Sequence, residues 1–138
     1  MNNNQLVAGL PTSIQRLTKL EKLYLDGNKL TELPAEIGDL RALRWLLMRN
    51  NQLVGLPTSI QRLTKLERLD LYGNKLTQLP AEIGDLRLLS ELSVSHNPLT
   101  VDAIRRALKL RKKGVRVSGV AGKHIGYCSY SEVRKKPR

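Results

Sequence analysis

The chain has no phenylalanine, one tryptophan and one cysteine. Cys128 has no partner for an internal disulfide, which fits a reducing compartment or indifference to redox. No Asn-x-Ser/Thr site occurs. No apolar run reaches about 18 residues, so no transmembrane helix is expected. The opening MNNNQLVAGL lacks the basic start and long apolar core of a signal peptide. Together these absences point to a cytoplasmic protein. The two histidines, His96 and His124, are far apart, and no Cys/His/Asp cluster has metal-ligand spacing. Phosphate loops, paired-carboxylate sites and nucleotide motifs are missing as well. No metal and no cofactor are therefore implied. Cys128 lies four residues from His124, the minimum for a nucleophile and its base, but the setting reads as a bystander thiol. The expectation is a protein that is not an enzyme.

What is present is repetition. Asn28, Asn51, Asn74 and Asn97 recur every 23 residues. Each closes the frame L-x-x-L-x-L-x-x-N-x-L. The frames are Leu20-Leu23-Leu25-Asn28-Leu30, Leu43-Leu46-Met48-Asn51-Leu53, Leu66-Leu69-Leu71-Asn74-Leu76 and Leu89-Leu92-Val94-Asn97-Leu99. Between them run LPTSIQRLTKL or LPAEIGDLRAL. In xLxLx, inward leucines alternate with outward residues, as a strand requires. One unit cannot bury its apolar edge alone, so neighbours stack into a parallel solenoid. The asparagines fall where each strand turns, and a buried amide can satisfy backbone groups of the adjacent turn. Pro11, Pro34, Pro57 and Pro80 mark the entry to the returning arc.

Residues 10–99 closely resemble leucine-rich repeats of the 23-residue LPxxIxxLxxLxxLxLxxNxLxx type, seen in intracellular Ras-pathway scaffolds and plant Ras-group-related repeat proteins. The resemblance implies an α/β right-handed solenoid. Its parallel sheet would be concave, its convex side irregular, 3-10 or short-helical, and a helical cap would close its C-terminal end. The usual roles it implies are scaffold, receptor or effector.

The expected organisation is a partial N-terminal repeat over 1–19, four frames over 20–99, a cap over 100–117 and a basic tail over 118–138. NNNQLVAGLPTSIQRL repeats RNNQLVGLPTSIQRL (residues 49–63) with Ala8 added, so the chain opens inside a repeat. The strand around Leu23–Leu25 would then be an uncapped edge, of an array fragment or of a chain that self-associates there. At the other end, Thr100 caps a helix with Asp102 in its first turn. Ile104, Ala107, Leu108 and the stem of Arg111 form its apolar stripe, and Gly114 ends it. Val115-Arg116-Val117 then alternates like a strand.

Residues 1–99 carry 12 basic and 10 acidic side chains, whereas 100–138 carry 12 basic and 2 acidic. The excess behind the net charge of +12 therefore sits in the cap and tail. That basic region reads as a solvated face, a contact for anionic lipid or nucleic acid, or a localisation signal. Only Tyr127 and Tyr130 could stack on bases there.

The outward positions of the frame form three columns on the concave face. They are Lys22, Trp45, Arg68, Glu91; Tyr24, Leu47, Asp70, Ser93; and Asp26, Arg49, Tyr72, Ser95. Residues 10–41 and 56–87 differ only at Lys22/Arg68, Tyr24/Asp70, Asp26/Tyr72 and Glu32/Gln78. Three of those four pairs are in the columns. Drift explains them if the sites are unconstrained, but the equally exposed convex arc is copied unchanged, which favours a diversified binding surface. Trp, Tyr and Arg are also the residues that most often carry interface energy. Trp45 would lie between Lys22 and Arg68, and Arg49 between Asp26 and Tyr72. The function expected is non-enzymatic recognition of a protein or peptide on this face. The alternative is electrostatic attachment to anionic membrane or nucleic acid through residues 105–138.

Overall fold

A computed structural model describes residues 7, 8 and 10–120. Strands β1 (Val7–Ala8), β2 (Lys22–Tyr24), β3 (Lys29–Leu30), β4 (Trp45–Leu47), β5 (Arg68–Asp70), β6 (Glu91–Ser93) and β7 (Arg116–Ser118) precede and follow a helix, α1 (Val101–Lys112). Five of the strands form one parallel sheet in the order β2-β4-β5-β6-β7, while β1 pairs only with β3. Each repeat leaves the sheet through a turn and returns through a 3-10 helix. These helices are Thr12–Arg16, Ala35–Asp39, Thr58–Arg62 and Ala81–Asp85. A proline stands immediately before each, with φ from −66° to −70°, the value its ring imposes in any case.

The interior follows from the frame. Leu25, Leu30, Leu46, Met48, Leu53, Leu71, Leu76, Val94 and Leu99 are fully buried, joined by Ile37, Ile60 and Ile83 from the 3-10 helices. The core is aliphatic throughout. Among the described residues, every buried polar residue is a frame asparagine: Asn28, Asn51, Asn74 and Asn97. The Asn74 amide donates to Leu71 O at 3.0 Å and Tyr72 O at 3.3 Å in its own turn, and to Met48 O at 2.9 Å in the preceding repeat. Its Oδ1 accepts the N–H of Leu53 at 3.1 Å. Asn51 and Asn97 repeat this pattern against Leu25 O and Leu30 N, and against Leu71 O and Leu76 N. One side chain thus satisfies backbone groups of two successive repeats.

Thr100 caps α1 by accepting the N–H of Ala103 at 3.2 Å. The buried stripe is Ala103, Ile104, Ala107 and Leu110, and Leu108 only packs against its margin. Leu110 thus takes the place assigned to Leu108 on spacing alone, because the helix rolls to face the last 3-10 helix and β7. The Arg111 guanidinium turns back over the end of the fold and donates to Val117 O at 3.1 Å and Val120 O at 2.7 Å. Val120 is buried, so the packed cap reaches past residue 117. Residues 121–138, including His124, Tyr127, Cys128 and Tyr130, lie outside the described residues.

Asn74→Ala strands the buried N–H of Leu53, at about 1–3 kcal/mol if no water rescues it. It also removes one of the donors at Met48 O, Leu71 O and Tyr72 O, which keep Asn51, Asn97 and the Asn50 N–H respectively. The expected loss in urea unfolding is about 2–4 kcal/mol, against less than about 0.5 kcal/mol for the exposed neighbour Lys75→Ala. Equal losses at the two sites would show that the amide does not tie the repeats together.

Candidate functional site

The register of the sheet builds the site. Lys22, Trp45, Arg68, Glu91 and Arg116 are successive neighbours across the strands, as are Tyr24, Leu47, Asp70, Ser93 and Ser118. Between these rows, Leu23, Leu46, Leu69 and Leu92 point into the core. Burial alternates along every strand of frames one to four, so the outward residues share one open face. Asp26, Arg49, Tyr72 and Ser95 continue the face just past the strand ends. All twelve positions of the three columns are therefore on the same side. Arg116 and Ser118 extend two of the columns onto the cap.

The side chains pair across strands. Lys22 Nζ stands 4.1 Å from the Trp45 ring centroid, and the Arg68 guanidinium 5.3 Å from the same ring. Arg49 lies over Tyr72 at 4.6 Å. The ring of His96 meets Tyr72 with centroids 4.7 Å apart and planes tilted by 46°. Arg49 pairs with Asp70 at 3.6 Å, Arg68 with Glu91 at 3.6 Å, and Arg116 with Glu91 at 3.2 Å. Asp26 accepts the backbone N–H of Arg49 at 2.7 Å, and Asp70 that of Tyr72 at 3.1 Å. The Arg49 guanidinium thus engages Asp70 and Tyr72, while Asp26 holds the Arg49 backbone.

His96 joins this site although its residue type alone gave no reason to expect it. It occupies the eighth frame position, as do Gly27, Asn50 and Gly73. All four have positive φ, between 57° and 72°. Glycine adopts that conformation without penalty, and Asn and His more readily than other side chains. The spacing would have placed His96 beside Tyr72 had the eighth position been followed as a column.

A depression of about 760 Å³ opens over β5 to β7, walled by Arg49, Arg68, Tyr72, Glu91 and Arg116. Tyr24, 37% exposed, and the half-buried Leu47 lie outside it towards β2. Along the opposite rim runs a ladder in which Arg44 reaches Glu67 at 2.9 Å and Glu21 at 3.4 Å. The hydrogen bond to Glu67, then the charge of that carboxylate, raise the Arg44 pKa. Being exposed, the ladder aligns strands more than it stabilises them. Among the described residues no three His, Cys, Asp or Glu side chains gather as a metal site, and no helix is long and apolar enough to cross a membrane. Chemically, the face offers fixed cations, hydroxyls and a small apolar patch.

The family described as leucine-rich repeat region matches residues 3–123, and the chain belongs to that family. Among solved structures it is similar to a leucine-rich repeat protein of Leptospira interrogans, at 39% identity and a TM-score of 0.73 over 80% of this chain and 28% of that one. It is similar to the ectodomain of the Arabidopsis thaliana receptor kinase SOBIR1, at 27% identity and a TM-score of 0.70, over 86% of this chain and 65% of that one. The ectodomain of the Arabidopsis receptor kinase GASSHO1/SCHENGEN3, solved with CASPARIAN STRIP INTEGRITY FACTOR 2, matches at 32% identity and a TM-score of 0.67, over 86% of this chain and 17% of that one. The chain thus spans less than two thirds of the length of each. A comparison with curated proteins finds no match.

The half-buried Trp45 ring contributes two exposed cation–π contacts of about 0.5–1 kcal/mol each. Trp45→Ala should cost about 1–2 kcal/mol in urea unfolding, whereas Leu46→Ala, next to it but fully buried, should cost about 2–5 kcal/mol. A Trp45→Ala loss as large as that of Leu46→Ala would place the ring in the core rather than on the face.

Proposed function

We propose that the chain is a non-enzymatic recognition module that binds a protein or peptide on the concave face of its sheet. The observation that carries this reading is where the two near-copies, residues 10–41 and 56–87, diverge. Lys22/Arg68, Tyr24/Asp70 and Asp26/Tyr72 all lie on the open face. Thr12/Thr58, Gln15/Gln61, Arg16/Arg62 and Lys19/Lys65 are exposed on the other side and unchanged. Free drift would have marked both surfaces. That one similar receptor ectodomain is in complex with CASPARIAN STRIP INTEGRITY FACTOR 2 agrees with such a role.

A second reading draws on α1. Arg105, Lys109, Lys112 and Lys113 are all exposed along it, and the only acid on the helix, Asp102, pairs with Arg105. This face suits attachment to an anionic membrane or nucleic acid, with steep salt dependence. Self-association along the outer edge of β2, which ends the five-stranded sheet, would appear as a concentration-dependent mass in light scattering.

Capture from native lysate at low and moderate salt separates the two main readings. The baits are the intact chain, a Trp45→Ala/Tyr72→Ala variant and a Lys109→Glu/Lys112→Glu variant. Proteins retained at moderate salt and lost only with the first variant are expected. Material that is salt-labile, insensitive to the first variant and lost with the second would move the function to α1.

A further inference from the structure

We infer that the occupant of this face is an acidic peptide segment, held by two rails of stacked cations and rings. The inference rests on the recognition reading and specifies its ligand. The first rail is Lys22–Trp45–Arg68 and the second Arg49–Tyr72–His96. They follow the third and seventh frame positions, so a trough up to about 13 Å wide separates them at 3.3 Å per residue. Tyr24, Leu47, Asp70 and Ser93 form its floor. Across five strands the trough is about 19 Å long, room for about six residues of extended chain.

The state of the cations decides the charge of the ligand. Trp45 is covered on two sides by cations, so its ring positions charge instead of offering an open surface. Arg49 and Arg68 sit 3.6 Å from their carboxylates, beyond the usual hydrogen-bond distance of about 2.7–3.2 Å. Neither guanidinium makes a side-chain hydrogen bond among the described residues, although each carries five donors. Glu91 is shared between Arg68 and Arg116, one carboxylate for two guanidiniums. Lys22 has no carboxylate within ion-pair distance among the described residues. Asp26 and Asp70 each direct an oxygen to a backbone N–H. The face therefore holds unsaturated, prepositioned donors suited to bidentate pairing with incoming carboxylates. Tyr24 and Leu47 add a place for one apolar side chain at the β2 end. Nucleic acid fits less well. It needs a run of free aromatic faces for its bases, and here Trp45 and Tyr72 are taken, leaving Tyr24 alone.

Trp45 is the sole tryptophan and stands inside the first rail, so its fluorescence reports occupancy. The intact chain is titrated with short blocked peptides alternating Glu, Gln or Lys with Leu, and with oligouridylate. The Glu/Leu peptide should bind about 10-fold or more tightly than the Gln/Leu peptide, the scale of one charge-assisted hydrogen bond. That preference should collapse in Lys22→Met/Arg68→Met and in Arg49→Met, with urea midpoints confirming that both variants are folded. It should persist in Lys109→Glu/Lys112→Glu. Equal binding of the Glu and Gln peptides, or no binding of either, overturns the acidic specificity. If lysate capture still depends on Trp45 and Tyr72 in that case, the recognition reading survives its loss. Acidic-peptide binding that is lost only with the α1 variant overturns the rails as the site. Tighter binding of oligouridylate than of the Glu/Leu peptide at the rails overturns the class of occupant.

Discussion

The amide of the frame asparagine is the interaction on which the rest of the solenoid depends. A parallel sheet whose strands are three residues long has few ladder hydrogen bonds of its own. Past each strand the chain must turn away from the sheet, and its backbone groups enter the interior without strand partners. Asn51, Asn74 and Asn97 supply those partners, each reaching back to a carbonyl 26 residues earlier and accepting an N–H 21 residues earlier. A buried polar group without a partner costs more than the bond itself returns, so this arrangement penalises any slip between repeats. A fixed repeat-to-repeat register is what turns the outward residues into columns, and the columns are the proposed site.

The same constraint explains what could be seen in the sequence. The 23-residue period carries the leucine frame, the asparagines and the prolines together, so the order of strands and the membership of the face are legible wherever the period holds. Lys22, Trp45 and Arg68 fall in one row for that reason alone. Where the period breaks, legibility stops. Arg116 follows Glu91 across the sheet after 25 residues, because α1 replaces the usual returning arc. Nothing in the spacing could place Arg116 and Ser118 in the columns. The spacing puts Leu108 in the helical stripe where the fold buries Leu110, and does not reveal where the Arg111 guanidinium turns, because both depend on how α1 rolls onto the final repeat. His96 was missed for a different reason: what recurs at its position is a left-handed backbone, expressed in the sequence as Gly, Asn, Gly and His.

Burial also separates the parts of the chain that can vary from those that cannot. The interior leucines are close-packed, and a change of even one methylene there is felt. Outward residues bear no such demand, yet three of the four differences between the near-copies fall on one side of the molecule. The 3-10 helices pack against one another as well as against the core, but many of their residues remain exposed. Thr12, Gln15 and Arg16 could have changed at little cost to stability and did not. Variation concentrated on the open face, with Glu32/Gln78 the one exception, is therefore not a consequence of packing.

The form of that variation is informative too. Between the first frame and the third, tyrosine and aspartate exchange places: Tyr24 and Asp26 against Asp70 and Tyr72. Each strand keeps one ring and one carboxylate. In both, the carboxylate accepts a backbone N–H near the strand end, from Arg49 in one case and Tyr72 in the other. Each carboxylate thus takes up an N–H at the seventh frame position, Asp26 in the next repeat and Asp70 in its own, while the ring shifts by two residues, about 6.6 Å along the strand. In the first frame the ring faces the trough beside Leu47. In the third it lies under Arg49 and against His96, completing the second rail. A swap that keeps a carboxylate on a backbone N–H and relocates an aromatic surface alters what the face presents without altering how the repeat folds. That is the behaviour of a surface whose pattern, not its scaffold, carries the function.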